Sequence, residues 1–382
     1  MGKLMKKSKK KIFIIRRIFV LASLCIIIFI PSFILVKHIN KPKTSVAKPV
    51  TSLPSKSDLD SNKITQKSLA EVTISSVGDC TIGHDSKFVF ENSLPYQLKK
   101  HNYDYGYFFR NTVDIFKNDD LTIANLETTF TNSKDKADKQ FTFKSPPEYV
   151  KVLSLGSIEA VNISNNHIYD YLEKGFADTK DTLKNENINF FGEGNIWTTE
   201  LKGVKLGFLG YRGFSYDNKF LTKLKNDIDE LKSKGYIVII NFHWGDESQY
   251  YPNEVQKYLA HFSIDNNADL IIGHHPHVIE GIETYKGKTI CYSLANFCFG
   301  GNTYPSDKDS FILQSRFKVE DGRLKSYGIR VIPCSISSVK NINDYCPTPM
   351  EGDEKNSFLI KLNKLSPKAG FKITDEFTYF NL

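Results

Sequence analysis

An α/β sheet protein is the fold class this chain predicts, and three observations predict it. Strand-like apolar runs recur, namely "VTISSVGD", "DLTIANLE", "EAVNISNNH", "GVKLGFLGY", "YIVIINFHWG", "ADLIIGHHPH" and "KTICYSLANF", and several end in polar residues. Helical patterns such as "FADTKDTLKNEN" and "PNEVQKYLAHFSIDNN" lie between some of them. The third is size: 382 residues, 40% hydrophobic and 25% charged, suffice for two average domains or one large α/β domain with a sizeable core. In such sheets ligands gather outside the carboxyl ends of the strands, so polar residues at those ends are where chemistry is to be sought.

The chain begins with a basic segment, 1–17, in which Lys3, Lys6, Lys7, Lys9, Lys10, Lys11, Arg16 and Arg17 stand without an acid. The net charge of +8 is therefore accounted for before residue 18, and the remainder is near neutral. That argues against nucleic acid as a partner, which calls for basic residues spread over a folded face. Ile18 to Val36 are nineteen uncharged residues. As a helix they span about 28 Å, the thickness of a bilayer's hydrocarbon core. A cleaved signal peptide is the alternative, but the run exceeds a signal core of roughly 7 to 15 residues and no small-x-small site follows it closely. Leu24 is too bulky to precede a lipidated Cys25. The expectation is one retained transmembrane helix at 18–36, held in the lipid bilayer of the cytoplasmic membrane. The basic segment then stays inside and everything after Lys37 lies outside.

Residues 37–70 read as a disordered tether, with three prolines, many Ser, Thr and Lys residues and no aromatic between Asn40 and Leu69. The folded domain is expected at 71–340, followed by an extension at 341–382 in which "DEFTYF" is a further strand or a packing tail. Outside the anchor stand Cys80, Cys291, Cys298, Cys334 and Cys346, an odd number without a CxxC pair, which suggests neither a zinc ribbon nor a disulfide scaffold. A bridge from Cys334 to Cys346 is the one candidate pairing, with no motif behind it.

The strand ends deliver, in order, Asp79, then Asn125 and Glu127, then Asn166 and His167, then His243, then His274, His275 and His277. Carboxylates, an amide oxygen and imidazoles form a ligand set suited to Zn, Mn or Fe and less to calcium, which prefers oxygen alone. His275 and His277 are two apart, so an extended strand points both to one face, and Pro276 between them fits a strand end. Singly these residues have ordinary explanations: Asp79 as a cap, Asn166 as a turn residue, His243 beside Trp244 as a packed ring, His274 as a donor to backbone. Their joint arrival at five successive strand ends favours a metal site.

The motifs "SVGDCTIG", "ANLETTF", "FKSPPEYVKVL", "AVNISNNHIYDY", "GFADTKDTLKNENINFFGEG", "VIINFHWGDE", "ADLIIGHHPHVIEGIETYKGK" and "YSLANFCFG" resemble the poly-gamma-glutamate capsule biosynthesis proteins, the CapA/PgsA family, over roughly Glu71 to Cys334. That family is similar to the calcineurin-like metallophosphoesterases. The resemblance thus implies a two-sheet sandwich flanked by helices, one or two divalent metal ions (Mn, Zn or Fe), and a domain displayed outside the membrane on its anchor. It makes Asp79 and His277 ligands of a first metal, Glu127 a bridge, and Asn166, His243 and His275 ligands of a second. His167 would protonate a leaving oxygen or steady the transition state, with Asp170 orienting it.

The sequence departs from the metallophosphoesterase pattern where Asp-x-His is usual, since Cys80 and Thr81 follow Asp79, and where Glu127 replaces a bridging Asp. His84 is a stand-in imidazole five residues on, or a cap. His274 with His277 is an alternative ligand pair, although His274 is assigned beside the ligands, toward substrate. Arg212 is a candidate anion contact. Asn296 either bonds a ligand or a neighbouring loop. Two mechanistic classes follow from the resemblance. One is a metal-dependent hydrolase, in which the cation lowers the pKa of its water. The other is an assembly or export component, which engages membrane-embedded synthase or export subunits and guides an anionic polymer such as poly-gamma-glutamate.

Overall fold

The computed structural model describes residues 69–381; the basic segment, the expected transmembrane helix and all but the last two residues of the tether lie outside the described residues. No helix among the described residues is long and apolar enough to cross a membrane. The strands begin with β1 (Leu69–Thr81), β2 (Leu121–Leu126), β3 (Thr129–Phe130), β4 (Lys144–Ser145), β5 (Ala160–Asn162) and β6 (Asn189–Phe191). They continue with β7 (Trp197–Leu201), β8 (Val204–Arg212), β9 (Ile237–His243), β10 (Leu270–His274), β11 (Ile282–Tyr285) and β12 (Lys288–Cys291). The last are β13 (Asn296–Phe299), β14 (Asp309–Glu320), β15 (Arg323–Ser335), β16 (Thr348–Pro349) and β17 (Thr378–Asn381).

These strands build two large sheets and a small ribbon of β3 with β4. The first sheet runs β16-β15-β14-β1-β2-β5-β6, with β13 also on β1 and β17 also on β15. The second runs β11-β12-β10-β9-β8-β7. β1 is buried from Val72 to Thr81, as a central strand with both faces covered must be. The sheets face each other over a shared cluster that includes Ile74, Ile123 and Leu313 from the first and Phe208, Ile239 and Ile272 from the second. A fully buried Ile or Leu contributes about 1.5–3 kcal/mol, so this face-to-face layer is the main source of cohesion.

Helices pack around the sheets, most of them on the outer faces and the last against the layer between the sheets. They are α1 (Leu94–Lys100), α2 (Val113–Lys117), α3 (Lys151–Leu155), α4 (Leu172–Asn185), α5 (Asn218–Ser233), α6 (Glu254–Asp265) and α7 (Gly352–Leu365). α5 lays Leu224, Ile228 and Leu231 on the second sheet, the i, i+4, i+7 spacing of one helical face, and α6 adds Leu259, Ala260 and Ile264. Asn253 caps α6 with Gln256 in a capping box, which sets where the helix starts. The observed architecture is α/β, as the strand and helix patterns predict, with the two facing sheets that the resemblance implies.

Three expectations are corrected. The run "KTICYSLANF" is two strands in different sheets: β12 ends at Cys291, the chain turns through Ala295 at φ +63°, and β13 crosses to lie beside β1. The extension at 341–382 is not separate from the domain. α7 sends Phe358, Leu362 and Leu365 into the layer between the sheets, and β17 pairs along β15 from Ser326 to Ile329. Cys334 and Cys346 are both free and buried, so the bridge between them is absent.

The end of β1 is held where the chain from β12 to β13 passes closest. A Cβ on Gly78 would stand 2.0 Å from the Ala295 carbonyl oxygen, and the Asp79 amide donates to that oxygen at 2.9 Å. Gly78→Ala is therefore expected to cost about 2–3 kcal/mol by overpacking against backbone that cannot yield. A lowered urea midpoint with unchanged slope is the expected reading; an unchanged midpoint would show that the β12 to β13 crossing is loose.

Candidate metal centre

Parallel pairing brings the carboxyl ends of five strands to one edge. In the first sheet Asp79 is opposite Asn125, Asn125 opposite Asn162, and Asp79 also opposite Asn296. In the second, His243 ends β9 beside His274, which ends β10. Glu127 follows β2 directly, and Asn166 with His167 follows β5.

Asp79 is fully buried and saturated with donors. Its Oδ1 accepts from Asn125 Nδ2 at 2.7 Å, and its Oδ2 accepts the His275 amide at 3.1 Å and stands 3.3 Å from His277 Nδ1. Burial alone would raise its pKa, but the hydrogen bond and charge of His277 outweigh burial and hold it below the ordinary carboxylate range. Glu127 is the opposite case. It too is fully buried, yet neither carboxylate oxygen has a hydrogen-bond partner. Burial, with the Asp79 charge behind it, pushes its pKa up to about 8.

Imidazoles surround that open carboxylate. His243 Nε2 is 3.4 Å and His167 Nε2 is 4.0 Å from Glu127 Oε1. Burial depresses His243 to about 3 and His275 to about 2, so both are neutral with a nitrogen lone pair to offer. His277 feels the same burial, but Glu127 and Asp79 overcome it and raise the ring to about 9. Among the described residues, Glu127, His275 and His277 bring one ligand atom each within 4.8 Å of one another. A buried carboxylate without a donor, beside two imidazoles, fits a divalent cation of borderline hardness.

Most of the predicted residues meet here, with changed relations. His275 and His277 are not on an extended strand: β10 stops at His274, and the two sit at φ +96° and +59° in a turn. Their convergence comes from that left-handed backbone and from the Asp79 anchor rather than from strand alternation. Asn166 Oδ1 lies 2.6 Å from His243 Nε2. His167 Nδ1 lies 2.6 Å from Asp170 Oδ2, the orientation assigned to Asp170. Where Asp-x-His would place an imidazole, the Thr81 hydroxyl donates to the Glu127 carbonyl at 3.1 Å, and Cys80 is a buried thiol pushed up to about 12 by desolvation. His84 pairs through its backbone with Lys144.

The three residues expected at substrate are otherwise engaged. His274 is 1% exposed with Nε2 against Asn241 Oδ1 at 3.0 Å, too deep to meet a substrate. Asn296 places Oδ1 2.9 Å from His277 Nδ1 and so orients that ring. Arg212 is half exposed and makes a two-point pair with Glu193, 2.9 Å at each contact. The structure also adds groups that spacing does not reveal. Lys139 bonds Asp170 and reaches the Asn166 carbonyl at 2.7 Å, and the Phe143 amide donates to Asp170 at 2.7 Å. Phe143, Phe214 and Phe299 lie 4.5, 4.8 and 4.8 Å, centroid to centroid, from His167, His275 and His277.

Residues 73–301 match the family model described as "Bacterial capsule synthesis protein PGA_cap". The "PGA biosynthesis protein CapA" of Bacillus subtilis (strain 168) is 33% identical over 291 residues, covering 70% of this chain and 73% of that protein. The "Capsule biosynthesis protein CapA" of Bacillus anthracis is 28% identical over 327 residues, covering 78% of this chain and 74% of that one.

Asp170 is a buried carboxylate with three donors, so Asp170→Asn leaves Lys139 and His167 without their anion. A loss of about 2 kcal/mol is expected, below the range for breaking a fully buried pair because Lys139 is a third exposed. Chemical denaturation measures it, and a cost under a few tenths of a kcal/mol would mean the contacts are incidental.

Proposed function

The chain belongs to the bacterial capsule synthesis family, and from that membership and the site we propose that it serves the production or export of poly-gamma-glutamate or a related anionic envelope polymer. In this reading residues 18–36 anchor it in the cytoplasmic membrane, the domain lies outside, and membrane-embedded synthase or export subunits are its partners. The names of the two Bacillus relatives support the capsule role, and the strand-end ligand set supports a metallophosphoesterase-like centre.

The observation that carries the site is the buried, donor-free Glu127 beside His275 and His277. These three would hold a divalent cation, Mn, Zn or Fe, which when bound lowers the pKa of a water toward neutral and polarises a substrate oxygen. The chain's own residues supply the rest. Asp79 and Asn296 fix the His277 ring, Asp170 fixes His167 so that its Nε2 faces the open carboxylate, and the three phenylalanines limit water around the imidazoles. His167 held in this way can pass a proton to a leaving oxygen while Asp170 stabilises the charged ring.

A cell-surface phosphoesterase unrelated to capsule is the second reading, favoured by the ordered His167–Asp170 pair beside the centre. Metal content of the full chain, purified in detergent without chelator, tests both. Bound Mn, Zn or Fe is expected, and His275→Ala should weaken its binding by more than about a hundredfold, beyond the usual effect of a residue that only supports a ligand. Release of glutamate oligomers from polymer, with no action on a simple phosphodiester, supports the capsule reading; the reverse supports the second. A folded chain without metal, even with Mn supplied, would overturn the metal centre in either reading.

A further inference from the structure

The hydrogen bonds behind the centre decide which nitrogen of each imidazole is free, and they decide it differently for His243 and His277. Asp79, Asn125 and Asn162 form one row across β1, β2 and β5. The Ser164 amide donates to Asn162 Oδ1 at 3.1 Å, and a backbone N–H has no other role to take. That identifies the oxygen of Asn162, so its Nδ2 faces Asn125 Oδ1 at 2.8 Å. Gly210 leaves the room for this amide, since a Cβ there would stand 2.1 Å from Asn162 Oδ1. With its oxygen committed, Asn125 turns Nδ2 to the Asp79 carboxylate at 2.7 Å and to His243 Nδ1 at 3.1 Å. Nδ1 of His243 therefore accepts, and the proton of the neutral ring is on Nε2. Two acceptors stand ready for it, Asn166 Oδ1 at 2.6 Å and Glu127 Oε1 at 3.4 Å.

His277 has the reverse polarity. Its Nδ1 faces two acceptors, Asn296 Oδ1 at 2.9 Å and Asp79 Oδ2 at 3.3 Å, so Nδ1 keeps a proton and Nε2 is the nitrogen left to meet a cation, which displaces any proton there on binding. A carboxylate or amide oxygen behind the ring is the usual backing of a metal-ligating imidazole, and His277 has it; His275 Nδ1 is buried without any partner and so is not committed as an acceptor the way His243 Nδ1 is. Turning Asn125 over to give His243 the same backing would set its oxygen against the Asp79 carboxylate and its amide against that of Asn162.

We infer that Asn125 holds His243 as a hydrogen-bond donor through Nε2, outside the ligand set, so that the centre takes one cation on Glu127, His275 and His277. The inference rests on the metal centre proposed above; of the one or two cations that the resemblance implies it selects one, and it departs from the resemblance in taking His243 out of the ligand set. His243 is then a donor aimed beside the cation, able to meet the oxygen of an anionic substrate, and Asn125 is its positioning residue.

The test uses the full chain with Mn2+ as probe, elemental analysis for stoichiometry, and 15N-histidine NMR for the tautomer. A single equivalent of Mn2+ is expected in the wild type. His243→Ala should keep Mn2+ affinity within about tenfold, the low end for a group that supports ligands, while His275→Ala loses it. In the metal-free chain, His243 should show a protonated Nε2 and an unprotonated Nδ1. Asn125→Asp, which replaces the donor by an acceptor, should move the proton to Nδ1. Two equivalents of Mn2+, an affinity loss in His243→Ala equal to that in His275→Ala, or a protonated Nδ1 in the wild type would each overturn the inference. A wild type that binds no Mn2+ overturns the proposed centre instead, and the tautomer, read without metal, still decides the role of Asn125.

Discussion

The Asp79 carboxylate ties the two sheets together at the edge where the site forms. It leaves the end of β1 in the first sheet and receives the His275 amide from the turn that follows β10 in the second. An uncompensated buried carboxylate costs several kcal/mol, so this position is tolerable only because donors converge on it from both sheets. The same convergence fixes the backbone of His275 and His277 in a left-handed conformation that each would otherwise avoid at about 1–3 kcal/mol. Positioning of the imidazoles and joining of the sheets are thus one interaction rather than two.

Glu127 stands close by under the opposite rule. Asp79 has donors on both oxygens and stays ionised; Glu127 has a donor on neither and is pushed toward the neutral form. Two carboxylates whose surroundings drive them apart in this way define separate roles within one pocket, the first structural and the second open to a ligand. The aromatic rings against His167, His275 and His277 strengthen the contrast, because the less water reaches Glu127, the more it gains from a positive partner.

Much of this was legible in the residues. Apolar runs ending in polar residues located β1, β2, β8, β9 and β10, and the assembly of Asp79, Glu127, Asn166, His167, His243, His275 and His277 at one edge follows from parallel strands sharing a direction. What was not legible depends on contacts between distant segments. The split of "KTICYSLANF" arises from a turn whose Ser293 hydroxyl bonds the Val278 carbonyl at 2.8 Å, a partner no local pattern names. Lys139 belongs to a polar loop that reads as solvent-facing, yet it reaches Asp170 because that loop folds back over α4 and the strand ends. Arg212 reads as free for an anion because Glu193, which takes both arms of its guanidinium, is nineteen residues away.

Histidine spacing carries the least information of all, because a residue type does not say which of its nitrogens is exposed. His167 turns Nδ1 to Asp170, His277 turns Nδ1 to Asn296 and Asp79, and His274 turns Nε2 to Asn241, all of them toward acceptors. His243 alone among these four turns Nδ1 to an amide nitrogen. Four imidazoles that look alike in sequence are therefore set to different tasks by the groups behind them, and those groups are asparagines and carboxylates on other strands. A protein with the same histidines and a different residue at the position of Asn125 would keep the spacing and lose the polarity, so motif identity alone does not carry over the chemistry of the site.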